Sequence, residues 1–410
     1  MYINGRSYNR TSIKTFINTE GIIRSKEHDL KITEVKTFRM AAQPHKSDTN
    51  NWVFIKIYTD SGIHGTGEAS LQYKDLALMA EIEDFSKFLI GKDPFRIEYI
   101  WTSLYRRVTW TGGSVTMSAI SAIDLALWDI KGKALGVPVY ELLGGRVRDA
   151  VPVYANGWFE GLDTGDEHAQ AALETVGQRY PCLKFYPFIG EYVTSPERIA
   201  KGIELVKSVR EAVGRNVQIG IDVRARLDFW SSLQVAEELI PFKVSWMEEP
   251  IQFDNPGLMG EFARKVRVPV STGEQLYNRW DFQPLLDEKS IAIIQPDICH
   301  AGGISELRRI ASAAETQYVS VAPHNSNGPI STVASLHLDM NIPNCFKQEI
   351  FVSFLEKYDA ILTNSIPIDD GFAIPPVGPG CGTDIDEDAM KEFPPAEYIP
   401  VDSEPYTEFF

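Results

Sequence analysis

The sequence predicts an α/β chain, a (β/α)₈ barrel joined to an α+β domain. Two observations carry that prediction. Eight short apolar runs, separated by amphipathic stretches, recur between Val151 and Ile350. No glycine-rich phosphate loop follows the first run, as an open doubly wound sheet would favour.

The elements follow in order. Residues 1–30 are polar and aperiodic and read as an extension. Order begins at Ile32. The segment NWVFIKIYTD (51–60) alternates apolar and polar residues, passes an Asp-Ser-Gly turn, and continues through Gly62–Glu68, a hairpin pattern. In SAISAIDLALWDIKGKALG, Ile120, Ile123, Leu127, Ile130 and Ala134 keep helical spacing, and Gly136 followed by Pro138 ends the helix. Strands followed by helices make residues 31–150 an α+β domain. Residues 151–364 carry the barrel runs VPVYAN, CLKFY, VQIGID, VSWMEE, VPVSTGE, IAIIQPD, YVSVAPH and CFKQEI. Helical stretches such as Glu197–Val213, Leu233–Leu239 and Glu306–Glu315 lie between them. From Thr363 the chain turns Pro- and Gly-rich; the tail, about 365–410, is expected to cross back to the first domain.

Composition excludes several classes. In 410 residues, a 44% hydrophobic and 23% charged composition argues for a packed globular protein over long disorder. A net charge of −16 repels phosphate backbones and anionic lipid, so neither nucleic acid nor membrane is an expected partner. Cys182, Cys299, Cys345 and Cys381 show no CxxC pairing, which fits reduced thiols. With no apolar leader and no 18-residue apolar run, a cytoplasmic location is expected.

Polar residues collect at the C-terminal ends of the runs, the end that carries the chemistry in a barrel. Asp222 ends the third run, Glu248 lies 26 residues on and Glu274 another 26, about one βα unit each. Three carboxylates at one rim repel unless a hard cation joins them, and an all-oxygen set favours Mg²⁺. Asp297 ends the sixth run and His324 the seventh, a spacing that sets a carboxylate against an imidazole and raises its basicity. Lys184 is placed to pair with a substrate carboxylate or its enolate, and Glu349 to hydrogen-bond a developing oxyanion. Together these describe proton abstraction beside a carboxylate. Glu249 reads as a supporting or loop acid and His300 as a structural residue, while Trp110 and the Thr111–Gly113 turn read equally as substrate contacts or as core and loop. The loops after Met40 and Glu68 are expected to choose the substrate, with His45 and Tyr73 as candidates.

With these motifs in place, the chain resembles the mandelate-racemase subgroup of the enolase superfamily across about residues 31–385. The resemblance rests on SAIDLALWDIKGKALGVPVYELLGG, LKF, the ladder of ID, MEEP and TGE, QPDICHAGGI, APHNSNGP and QE at 348–349. It implies a modified (β/α)₈ TIM barrel, with an α+β capping domain completed by the tail. It also implies one Mg²⁺ per subunit, a sugar-acid substrate held between the domains, and a homo-oligomer. VPVYANGW with LKFYPF is most similar to the gluconate- and galactonate-type acid-sugar dehydratases. The expected reaction is loss of the 3-hydroxyl to give a 2-keto-3-deoxy acid; an epimerase or cycloisomerase using the same enolate is the alternative, and a non-catalytic binding relative a further one. Two positions depart from the pattern. Tyr186 stands where a Lys-x-Lys motif would place a second lysine. Arg224 stands two residues after the first metal acid, where galactonate-type enzymes carry an acid histidine; guanidinium donates protons poorly and is expected to bind substrate. His324 is therefore expected to return its proton to the leaving hydroxyl on one face, with Tyr186 the other possible donor.

Overall fold

The computed structural model describes residues 30–42, 50–107, 109–188 and 194–397. His45 and the N-terminal stretch 1–29 lie outside the described residues. Strands β1 (Ile32–Ala41), β2 (Asn51–Thr59) and β3 (His64–Glu68) form an antiparallel sheet in chain order. Helices α1 (Asp75–Leu89), α2 (Ile97–Arg106) and α3 (Ser114–Leu135) pack beside it. The β3 backbone lies directly on α3: a Cβ at Gly65 would sit 2.0 Å from the Ala126 carbonyl oxygen. Gly136, at φ 70°, ends α3 in the left-handed turn that its sequence predicts.

A four-residue helix, α4 (Val139–Leu142), leads into the barrel. Its parallel strands are β4 (Val151–Asn156), β5 (Cys182–Phe185), β6 (Gln218–Asp222), β7 (Trp246–Glu248), β8 (Val270–Thr272), β9 (Ile293–Ile294), β10 (Ser320–Val321) and β11 (Gln348–Phe351). The ring closes through β11 on β4 and a parallel bridge from Val321 to Cys345. Between the strands run α5 (Gly165–Gly177), α6 (Pro196–Val213), α7 (Phe229–Leu239), α8 (Pro256–Lys265), α9 (Arg279–Asp287), α10 (Gly303–Glu315) and α11 (Pro329–Asn341). Local sequence sets their starts: Thr164 and Glu167 form a capping box on α5, and Asp228 and Asn278 accept the first amides of α7 and α9.

The strands are shorter than the apolar runs. The run 268–274 yields only Val270–Thr272, and 291–297 only Ile293–Ile294. Glu274, Asp297 and His324 thus sit just past the ladder, where their backbone is free to turn the side chains toward the barrel mouth. Short α12 (Leu355–Ile361) then precedes the tail.

The tail contains an unforeseen hairpin. Strands β12 (Ile368–Asp369) and β13 (Phe372–Ala373) flank Asp370 and Gly371, both at positive φ, and β13 pairs antiparallel with the base of β4. Beyond it the tail runs against the first domain. Lys56 donates to the Ile385 carbonyl and to Glu387, and Asp384 takes hydrogen bonds from His64 at 2.5 Å and Thr66 at 2.6 Å. Burial works against the Asp384 charge, but these bonds and the Lys133 and Lys56 ammoniums hold its carboxyl below the usual range. Such a group stabilises the fold above the unfolded-state value, and that stability fades as pH falls through the lowered folded value. Asp384→Asn is therefore expected to cost about 2 kcal/mol near neutral pH by losing charge-assisted bonds. Thermal melts should show the gap to wild type closing below about pH 4; a pH-independent gap would contradict the assignment.

The domains meet through buried acids. Glu68 accepts from the backbone amides of Gly328 and Ser331 at the α11 N-terminus, and Asp124 on α3 accepts from Ser305 on α10. The Glu68 contact seats the loop Ser70–Tyr73 over the barrel mouth. All four cysteines are free thiols. Among the described residues no helix is long and apolar enough to cross a membrane.

Candidate active site

Side chains at the C-terminal strand ends and the first domain enclose a cavity of about 320 Å³, within the range of small-ligand sites. Tyr186, Asp222, Arg224, Glu274, His300 and His324 face it from the barrel, and Asn51, Trp52 and Ser70–Tyr73 close it from the first domain.

Strand register assembles the acids. Asp222 and Glu248 lie directly opposite on β6 and β7, and Glu274 follows β8. One oxygen from each of the three carboxylates lies within 4.8 Å of the others. Oxygens sharing one octahedral Mg²⁺ lie roughly 3–4 Å apart, so small side-chain shifts suffice and the donor set fits. Burial, opposed by Lys184, pushes the Asp222 carboxyl up to about 6.

Lys184 lies beneath this trio, 1% exposed, 2.5 Å from Glu248, 2.7 Å from Glu349 and 3.7 Å from Asp222. Burial disfavours its charge, but Glu248 and Glu349 outweigh that and keep it an ammonium. Its hydrogens go to acids of the strand ends and it stays off the cavity wall, which differs from the expected pairing with substrate. Glu349 differs too. Its Oε1 accepts from Lys184 and from Asn156 at 2.7 Å, and its Oε2 from the Asn325 amide at 2.8 Å. Despite its burial, Lys184 and His324 hold its carboxyl below the usual value, so it accepts hydrogen bonds and has no proton to give an oxyanion.

The structure brings His324 and Asp297 together. His324 Nδ1 lies 2.7 Å from Asp297 Oδ2, and its Nε2 lies 3.6 Å from Glu274 Oε2. Asp297 also accepts from the Cys299 amide at 2.7 Å and from Asn327 at 2.8 Å. Burial raises its carboxyl, but His300 and His324 outweigh this and keep it ionised. An acceptor-only carboxylate fixes one hydrogen on Nδ1, so the nitrogen that gives up its proton when the ring becomes a free base is Nε2, which faces the cavity. Burial disfavours the imidazolium, yet Glu274 and Asp297 together push His324 up to about 10.

Other residues divide. Arg224 and Ala225 take left-handed backbone at φ 53° and 56°, and Asp222 accepts from the Arg224 amide at 2.8 Å. This turn lays the guanidinium 5.1 Å over the Tyr186 ring at the cavity wall. Tyr73 lines the cavity, whereas Trp110 is 88% exposed and does not. Glu249, also left-handed at φ 41°, points away from the mouth and accepts from Thr272 and the Gly273 amide. Burial pushes its carboxyl up to about 8.

Sequence reasoning missed three contributors. His300 lines the cavity, donates to the Ser70 carbonyl at 2.8 Å and reaches Asp297 at 3.5 Å, tying the capping loop to the imidazole pair. Asn327 fixes Asp297, and Asn156 bridges Tyr186 and Glu349. Asn327 falls within APHNSNGP and His300 within QPDICHAGGI, but neither motif reveals a partner.

Known proteins are similar to this chain over most of its length. Residues 28–144 fit the model of the mandelate racemase/muconate lactonizing enzyme N-terminal domain, and residues 166–389 the enolase C-terminal domain-like model. The chain is 36% identical over 370 residues to a D-galactonate dehydratase of Pectobacterium atrosepticum, covering 88% of this chain and 94% of that protein. A D-galactonate dehydratase of Xanthomonas oryzae pv. oryzae is 35% identical over 389 residues, covering 91% and 97%. The crystal structure of an enolase superfamily member from Salmonella Typhimurium superposes with a TM-score of 0.83 at 33% identity, covering 89% of this chain and 98% of that one.

Proposed function

Because the chain belongs to the mandelate racemase/muconate lactonizing enzyme family of the enolase superfamily, we propose that it is a Mg²⁺-dependent acid-sugar dehydratase. The observation that carries this reading is the His324–Asp297 pair set against the trio Asp222, Glu248 and Glu274, His324 Nε2 lying 3.6 Å from Glu274. An imidazole–carboxylate pair beside a cation site supports abstraction of the C2 proton from a carboxylate substrate.

Asp222, Glu248 and Glu274 would hold the cation, which supplies positive charge to the substrate carboxylate and offsets the second charge of the enolate. The chain's own residues perform the rest. His324 Nε2 takes the C2 proton while Asp297 stabilises the resulting imidazolium. Lys184, its ammonium beneath the acids, adds positive potential on the carboxylate side. Arg224 and Tyr73 bind substrate oxygens, and the first-domain wall, with Trp52 and Leu71, excludes water. The C3–O bond then breaks and water leaves, giving a 2-keto-3-deoxy acid.

The test is a turnover screen of aldonic and aldaric acids with Mg²⁺ in D₂O, read by NMR of the products. A 2-keto-3-deoxy acid is the expected product. Recovery of only a C2-deuterated epimer or a cyclised isomer would replace dehydration with the alternative chemistry.

A further inference from the structure

We propose that Asn156 holds the Tyr186 phenol with its hydrogen aimed into the cavity, making Tyr186 the acid that protonates the departing hydroxyl. The inference rests on the dehydratase reading and names the proton donor that this reading leaves open.

The argument is one of hydrogen-bond polarity. Asn156 ends β4 and is 1% exposed. Its Oδ1 takes the Gly157 amide at 2.7 Å, and a backbone N–H can only donate. Gly157 sits at φ 75°, and a Cβ there would meet the Phe351 ring at 2.5 Å, so this turn requires glycine. Asn156 Nδ2 lies 2.7 Å from Glu349 Oε1, an oxygen that Lys184 also approaches to 2.7 Å. A carboxylate among such donors can only accept. Both ends of the amide are therefore assigned by partners that cannot exchange roles.

The remaining Nδ2 hydrogen reaches Tyr186 Oη at 2.9 Å, so the phenol oxygen accepts and its own hydrogen is free. Among the described residues no other hydrogen bond is made by that hydroxyl. Asn156 occupies one side and the Arg224 guanidinium, another donor, covers the ring face. The open direction is the cavity that Tyr186 lines. Burial raises the phenol far above its ordinary value, so it holds its proton until a strong base forms beside it. Departing hydroxide is such a base. Lys184 and Arg224 then favour the phenolate left behind, against the opposing charges of Asp222 and Glu349.

Strand order sets the stereochemistry. Tyr186 follows β5 and His324 follows β10, three steps apart around an eight-strand ring. Base and acid flank the cavity from different sides, which favours anti elimination over the same-face return of the His324 proton expected from sequence. The step balances: His324 accepts the C2 proton, and the C2–H electron pair becomes the C2–C3 double bond. The C3–O pair leaves with oxygen, which takes the Tyr186 proton as water. The enol then gains a proton at C3 from His324 and loses its hydroxyl proton to the phenolate, restoring both groups.

The experiment follows C2–H exchange and keto-acid formation together in D₂O, using the aldonate that turns over in the screen above, beginning with D-galactonate and D-gluconate. Tyr186→Phe is expected to keep exchange near the wild-type rate while elimination falls about 100-fold or more. Asn156→Ala is expected to lower elimination about 10-fold with KM little changed, and to have no further effect in the Tyr186→Phe background. Retained exchange shows that the site is folded in each variant. Equal loss of exchange and elimination, or an Asn156→Ala effect undiminished in the Tyr186→Phe background, would make Asn156 only a scaffold for Glu349 and overturn the inference. If wild type dehydrates and Tyr186→Phe matches it, the dehydratase reading stands and this inference falls. If wild type yields no keto acid, the dehydratase reading itself falls.

Discussion

His324→Asn is expected to abolish exchange of the substrate C2 hydrogen with solvent deuterium and to lower kcat roughly 10³-fold, near the middle of the range for a lost general base. Substrate should still bind, because Arg224, Tyr73 and the acid trio are untouched. The size of the loss follows from the surroundings of the imidazole. Asp297 is completely buried and takes hydrogen bonds from Cys299 and Asn327 as well as His324. No proton lies on the carboxylate to be shared, so one His324 hydrogen stays on Nδ1 and the ring, once a free base, presents its lone pair at Nε2. An asparagine offers neither a basic lone pair nor a cation for Asp297 to stabilise. Asp297→Asn provides the companion result: its amide can donate to Nδ1, which moves the ring hydrogen to Nε2 and blocks the base without altering its position. NMR of the C2 proton and calorimetric substrate binding check both variants. Wild-type exchange in His324→Asn would place the base elsewhere, with Tyr186 next to be tested.

The sequence made the frame and the imidazole pair legible because both depend on spacing. One acid per βα unit becomes, in a parallel barrel, one acid per strand end, and Asp222 meets Glu248 in register. The same logic set Asp297 beside His324. Hydrogen-bond direction left no such trace. Lys184 lies near the end of its run like the others, yet its ammonium turns to Glu248 and Glu349 because their uncompensated burial would cost more than losing solvent. The His300–Ser70 bond spans 230 residues and arises from domain docking, which no local period encodes. The β12–β13 hairpin was missed, because the Asp370-Gly371 turn signal sits among prolines that read as loop.

Removing the cation should abolish turnover as completely as removing the base, and with it the added stability that a bound ion confers. The charge balance at the mouth supports this. Asp222, Glu248, Glu274 and Glu349 bring four carboxylates together, while Lys184 and Arg224 bring two cations. That excess of carboxylates around the single buried ammonium is what a divalent ion would offset. Lys184 already lies against Asp222, Glu248 and Glu349, so the remaining demand falls on Glu274 and the open side of Asp222, both on the cavity wall. All three donors are hard oxygens, which suits Mg²⁺ better than zinc. Protein stripped with EDTA is expected to lose turnover and regain it with Mg²⁺. Mg²⁺ at a hundredfold excess over its Kd should stabilise the fold by about 2.7 kcal/mol, seen as a raised Tm. Glu248→Gln should lose both responses, since the amide cannot serve as an anionic ligand and leaves Lys184 with one fewer partner. Asp222→Asn separates these effects: Lys184 keeps its close contacts to Glu248 and Glu349, so a lost Mg²⁺ response there reports ligation alone. Full turnover after EDTA, or a Tm raised equally by Mg²⁺ in wild type and Asp222→Asn, would show that the three acids do not hold the ion.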